Sequence, residues 1–144
     1  MLGKAWRWLA SRLDNKQQGQ RRLRFSVHRH PTYQSFWRPA ATPDQAPRLE
    51  IQVFLEASNM SADACRITAA EIAGMPAIEA VIGVRDAGTG TFARDNPLPP
   101  RQITTLSLHF LVDGQAVSGG DPFSAVLILT DDVGERHPVK VIMH

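Results

Sequence analysis

The chain has 144 residues, about one domain's worth, and its 43% hydrophobic and 21% charged residues are proportions of globular rather than disordered proteins. No apolar run approaches the roughly 18–20 residues of a membrane-spanning helix, and the single cysteine, Cys65, excludes an internal disulfide and a multi-cysteine zinc site. The net charge of +2 is too small to imply a polyanionic partner, but it is unevenly spread: residues 1–24 carry seven basic side chains against Asp14 alone, net +6, and the other 120 hold nine basic and thirteen acidic ones, net −4.

Leu2, Ala5, Trp6, Leu9 and Leu13 recur at spacings of three and four and predict an amphipathic N-terminal helix. Lys4, Arg7, Ser11 and Asp14 fall mainly on the opposite side, and Trp8 departs from the pattern. Residues 15–20, polar and containing Gly19, end the helix. A helix this short is marginal alone in water, so its apolar face needs a cover. Four covers are open: the protein's own core, an anionic membrane surface, a partner protein or nucleic acid. Docking on a membrane or partner would bury Leu2, Trp6, Leu9 and Leu13, while Lys4, Arg7, Arg12, Lys16, Arg21 and Arg22 steer association. Arg7 and Arg12 interrupt the apolar region a secretory signal requires, and Leu2 after the initiator methionine gives no myristoylation signal.

From residue 24 the period changes to alternation. Phe25 and Val27 alternate with Arg24, Ser26 and His28 in a short strand. Tyr33 to Pro47, with Pro39, Pro43 and Pro47, reads as a connector. Leu49, Ile51, Val53, Leu55 and Ala57 alternate with Glu50, Gln52 and Glu56 in the best half-buried strand of the chain, with Phe54 the exception on its polar face. Ser58 to Asp63 is a turn with side-chain oxygens that can replace backbone partners. The next strand is expected to face Cys65, Ile67, Ala69 and Glu71 one way and Arg66, Thr68 and Ala70 the other, ending at Gly74 and Pro76. Ala80 to Val84 is a short apolar run, followed by a loop at Gly88–Gly90. Ile103 to Val112 directs Leu106, Leu108, Phe110 and Val112 inward, and Thr105, Ser107 and His109 outward. Phe123 to Thr130 and Val139 to Met143 form a closing hairpin through Asp131–Gly134, with Pro138 at a sheet edge or before the last strand starts.

About seven strands separated by turns predict an all-β antiparallel sandwich over residues 24–144, behind a basic helix and linker over residues 1–23. A closed barrel is the alternative. The segments LEIQVFLEASNMS, NPLPPRQITTLSLHFLVDG and AVLILTDDVGERHPVKV resemble the immunoglobulin-like β-sandwich superfamily: an asparagine turn after an early strand, a proline-rich connector before a T-x-L-x-L-x-F strand, and an acidic-glycine closing turn. The antibody hallmarks are missing, since Cys65 has no partner cysteine and no cysteines flank a core tryptophan. The resemblance implies a fold and carries no functional residues with it.

Chemistry-bearing patterns are sparse. His28 and His30 are two apart on one strand face and could share a metal in a metal-dependent enzyme, but no carboxylate or cysteine stands near and Arg24 and Arg29 would repel a cation. His109 is expected to be an exposed cross-strand neighbour, and His137 and His144 to be exposed near turns or chain ends. Asp131, Asp132 and Glu135 read as a solvated hairpin tip. Cys65 reads as a buried, inert thiol, and no Gly-x-Ser-x-Gly elbow or phosphate loop is present. Arg94 to Pro100 matches Arg-x-x-Pro-x-x-Pro, a polyproline ligand pattern, but is more simply a stiff connector. Arg21, Arg22, Arg24 and Arg29 with Phe25, Tyr33 and Trp37 form the one basic-aromatic cluster that nucleic acid could use.

The expectation is therefore a non-enzymatic interaction or accessory module without a cofactor, docked by its basic helix to a partner protein or anionic membrane surface. A nucleic-acid binder is the competing class. A lone reduced cysteine points to the cytoplasm, with peripheral membrane attachment open, and the exposed edge strand expected near Pro138 leaves room for an oligomer.

Overall fold

The computed structural model describes residues 21–27, 32–40, 46–114 and 123–143. The expected N-terminal helix and the pair His28 and His30 lie outside them. The described residues are all-β, with nine strands: β1 (Leu23–Val27), β2 (Phe36–Ala40), β3 (Arg48–Asn59), β4 (Ile67–Ile72), β5 (Ala77–Arg85), β6 (Phe92–Ala93), β7 (Ile103–Asp113), β8 (Phe123–Asp131) and β9 (Arg136–Met143). They form two antiparallel sheets, one ordered β1-β3-β7-β5-β6 with β2 also beside β3, the other β4-β8-β9. Among the described residues both sheets have open edges, unlike a closed barrel.

The alternation of β3 organises the larger sheet. Leu49, Ile51, Val53, Leu55 and Ala57 are buried on one face, while Glu50, Gln52, Phe54 and Glu56 lie half-buried on the other. Opposite them Leu106, Leu108, Phe110 and Val112 of β7 are buried, as the sequence pattern predicts, in a ladder that runs without a break from Arg48↔Asp113 to Ser58↔Ile103. Ile82 and Val84 of β5 extend this apolar face. Ile67 and Ile72, Leu127 and Leu129, and Val139 and Val141 supply the facing layer, so both sheets share one hydrophobic core. Each such aliphatic side chain contributes about 1.5–3 kcal/mol by leaving water.

Three features depart from the expected layout. The connector from Tyr33 to Pro47 contains β2, which pairs with β3 from Phe36↔Gln52 to Ala40↔Arg48 despite Pro39. An edge strand tolerates proline because one side of its ladder is unused. β1 lies in line with β2 along the same edge of β3, from Leu23↔Asn59 to Val27↔Leu55, and among the described residues this track is interrupted between Val27 and Phe36. The interruption leaves the Phe54 N–H without a strand partner, and the Ser35 hydroxyl accepts it at 3.0 Å.

The second departure is in β4. The β4–β8 register slips between Ile67 and Ala69, inserting Thr68 as an extra residue. Ala69 and Glu71 are consequently exposed instead of sharing the inward face with Cys65 and Ile67, and Ile72 turns inward. The Thr68 hydroxyl lies 3.2 Å from both the Thr130 and Asp131 carbonyls, anchoring the bulge to β8. The third is the short β6, which pairs with Val84 and Arg85 at the end of β5. Gly83 admits it: a Cβ there would stand 3.0 Å from the Cβ of Phe92. Phe92 completes an outer aromatic cluster with Tyr33 and Phe54, ring centroids 5.3–6.3 Å apart, which explains the apolar residue on the polar face of β3.

Phe110 is the largest fully buried side chain and lies in the middle of the β3–β7–β5 layer. Truncation to Ala is expected to cost about 3–5 kcal/mol of folding stability, read as a lowered urea midpoint, whereas the exposed Val133→Ala should fall within about 0.5 kcal/mol of wild type.

Candidate binding sites

The closing hairpin carries an ionic cluster that the sequence reading places in solvent. Asp131, at the end of β8, is 1% exposed, and His137, on β9, is 2% exposed. Asp131 Oδ1 accepts the backbone N–H groups of Val133 and Glu135, both at 3.0 Å, and so fixes the turn. Its Oδ2 lies 2.9 Å from His137 Nε2 and 3.2 Å from Arg22. Arg22 also donates to Asp132 at 2.7 Å, and the Phe25 ring packs 5.3 Å from the imidazole. The solvated tip is thus confined to Asp132, Val133 and Gly134, while β9's inward alternation through His137, Val139 and Val141 carries the imidazole beneath β1.

Asp131, Glu135 and His137 could each offer one ligand atom, and these atoms lie within 4.8 Å of one another. Both Asp131 oxygens are nevertheless engaged, Oδ1 by two backbone amides and Oδ2 by His137 and the Arg22 cation, whose charge disfavours a metal ion there. The Asp–His pair also has no hydroxyl or thiol hydrogen-bonded to the imidazole among the described residues, so it lacks the nucleophile of a hydrolytic triad. Its chemistry is structural: it ties the chain ahead of β1 to the hairpin that closes the smaller sheet.

On the outer face of β3 and β7, Glu50 receives Arg38 Nε at 2.8 Å and stands 2.8 Å from His109 Nε2. The hydrogen bond from Arg38, then that from His109, hold the Glu50 carboxyl below the ordinary glutamate range. His109 faces outward as expected, but as part of this group. The Arg38 guanidinium lies 4.9 Å from the Phe36 ring centroid. Beside it, Gln52 donates to Ser107 at 2.8 Å, so this polar face is internally paired.

The proline-rich segment before β7 is built into the fold. Leu98 is buried and exchanges two backbone hydrogen bonds with Cys65, at 2.7 and 3.1 Å, while Arg94 donates to the Thr68 carbonyl at 3.0 Å. The stiff-connector reading accounts for it, with Cys65 buried as predicted. Between this segment and the β5–β6 turn lies a cavity of about 250 Å³, lined by Arg85, Asn96, Gln102 and Thr105 among others.

Two edges differ in character. β9 borders the smaller sheet and carries Pro138 and the exposed Lys140, both of which discourage pairing with another chain. β5 is less protected. Residues 77–81 are all exposed, Ile78 at 55% and Val81 at 50%, and β6 pairs only with Val84 and Arg85. Along Ala77–Val81 no strand is hydrogen-bonded to the edge away from β7 among the described residues, and Glu79 is its single charge.

Of the residues singled out for docking, Leu2, Lys4, Trp6, Arg7, Leu9, Arg12, Leu13 and Lys16 lie outside the described residues. Arg21 is exposed, and Arg22 is bound to Asp131 and Asp132. The open β5 edge was not singled out from the sequence, although Ile78 and Val81 beside Pro76 hint at a strand whose apolar residues do not alternate cleanly.

Burial by itself pushes the Asp131 carboxyl up. Hydrogen bonds from His137, from the Glu135 and Val133 amides and from Arg22 outweigh it and hold the group below the ordinary aspartate range. The carboxylate therefore stabilises the fold above its unfolded-state pKa, and that contribution disappears as pH falls through the lower folded-state value. Asp131→Asn is expected to cost about 3–5 kcal/mol at neutral pH. It should also flatten the loss of stability below about pH 4 in a series of urea melts. A wild-type-like acid limb in the variant would assign that pH dependence to other groups.

No helix among the described residues is long and apolar enough to cross a membrane, which says nothing of a β-barrel. No protein-family model matches the chain, and comparison with curated proteins finds no match.

Proposed function

We propose that the protein is a non-enzymatic interaction module. In this reading the body is an immunoglobulin-like sandwich that presents the β5 edge to an extended segment of a partner polypeptide, and the basic leader is the steering element that brings the two together. The observation that carries the reading is the exposure of residues 77–81 beside an unpaired strand edge. Unpaired backbone groups on such an edge form a template for an added strand, with exposed apolar side chains supplying area.

Charge narrows the partner. Self-pairing of two β5 strands centred on Glu79 would set carboxylates opposite one another, which is unfavourable. A partner strand with Lys or Arg at that register, flanked by apolar residues, satisfies the edge better. The saturated state of the Asp131 and Glu50 clusters supports a binding rather than a catalytic role. The nucleic-acid alternative is weakened by the engagement of Arg22 with two aspartates.

The full-length chain, immobilised, is expected to capture a partner whose binding falls at least about tenfold in an Ile78→Lys/Val81→Lys double variant, a loss of about 1.4 kcal/mol or more. Hydrogen exchange on the purified complex should show new protection within residues 77–81. Undiminished binding by the double variant, or protection elsewhere only, would refute edge pairing. Trp6→Ala and Leu9→Ala test the leader separately: weakened capture supports its docking role, while a steep salt dependence abolished by charge reversal of Arg21 and Arg22 would favour nucleic acid.

A further inference from the structure

We infer that the open groove between the β5–β6 turn and the proline-rich segment before β7 is the seat of this chain's own leader, whose apolar residues Leu9 and Leu13 it receives. Residues 1–20 lie outside the described residues, but the point where they join the body is fixed. The Arg22 side chain is held by Asp131 and Asp132, and its carbonyl accepts the Met60 N–H at 2.7 Å. One strand further across the larger sheet, the Gln102 carbonyl accepts the Asn59 N–H at 2.9 Å. Gln102 lines the groove, so the leader joins the body about two strand spacings, roughly 10 Å, away from it.

Exposed apolar side chains stand along that short path. Met60, 51% exposed, adjoins Arg22. Ile103, 68% exposed, opposes Ser58 in the β3–β7 ladder and lines the groove together with Pro97 and Pro99. The other large exposed apolar residues are more distant or isolated. Val81 pairs with His109, six residues along β7 from Ile103 and therefore about 20 Å off. Val126 and Ile142 lie five and six residues along β8 and β9 from the closing turn. Val133 is near Arg22, but it is a single apolar side chain between Asp132 and Gly134.

The tether is long enough. Residues 14–21 form a polar link of eight residues, with an r.m.s. span of about 14–17 Å when flexible. Leu13 therefore reaches Ile103 without strain, and so short a tether sets a local concentration on the order of millimolar.

The chemistry favours this occupant. An amphipathic helix needs a cover for Leu2, Trp6, Leu9 and Leu13, and its backbone groups are already paired along its length. It can use an apolar groove, whereas the unpaired β5 edge suits a strand. Charge sets the orientation. Asp86 and the half-exposed Arg85 both line the groove and offset one another, so Lys4, Arg7 and Arg12 gain nothing by entering it. The apolar face turns in, and the cations stay in solvent, where they are free to steer association. At about 250 Å³ the groove is smaller than a drug-sized site and takes one or two side chains, with Met60 and Ile103 supporting the rest of the apolar face.

The test uses the isotopically labelled full-length chain without a partner, so its outcome is independent of capture at the β5 edge. Nuclear Overhauser contacts are expected from the Leu9 and Leu13 methyls to those of Ile103 and Met60. Amide exchange within residues 2–14 should be slowed at least about tenfold relative to a peptide of residues 1–20, equally in dilute and concentrated protein. Ile103→Lys, at a largely exposed position, should remove most of that protection. Leu9→Glu should do the same and shift the Gln102 and Gly88 amides, while Lys140→Gln on the other sheet should change nothing. Four results would overturn the assignment. They are contacts to Ile78, Val81 or Val133 instead, protection that grows with protein concentration and so places the leader on a second copy, protection seen only after anionic lipid vesicles are added, and undiminished protection in folded Ile103→Lys protein.

Discussion

The strict two-residue alternation of β3 is the constraint on which the larger sheet rests. Five of its residues turn into the core, and β1, β2 and β7 all take their register from its edges. A slip of one residue would exchange Ile51, Val53 and Leu55 for Gln52, Phe54 and Glu56 on the buried face. The register of β7, and through it β5, is consequently fixed by burial. The interruption between β1 and β2 costs little because it falls on an edge and because Ser35 replaces the missing backbone acceptor.

The ionic groups follow a similar logic of placement. Asp131 lies where β8 gives way to the closing turn, close enough to accept two turn amides while still meeting His137 and Arg22. Its charge is affordable in the interior because every oxygen is occupied. Arg85 differs: it is half-exposed, and only its Nε is shut off from water.

The two halves of β5 differ in their surroundings. The first half of β5 is open and apolar, while its second half is covered by β6 and ends at Arg85. β7 connects them from the other side, pairing Val81 with His109 and Val84 with Leu106.

Much of the fold was legible in the sequence because burial imposes a period. Leu49 to Ala57 and Ile103 to Val112 announced two core strands, and Asp131 to Gly134 the closing turn, while the N-terminal pattern remains a reading of the sequence. The β4 bulge was harder: Ile67 and Ile72 are an odd number of residues apart, a signal of an inserted residue that a single alternating face hides. The candidate sites were scarcely legible. Whether His137 meets water or Asp131 depends on Arg22 and Phe25, more than a hundred residues away in the chain. Alternation is a local property written into neighbouring residues. Solvent access and hydrogen-bond partnership are set by segments distant in sequence, and only their tertiary packing decides them.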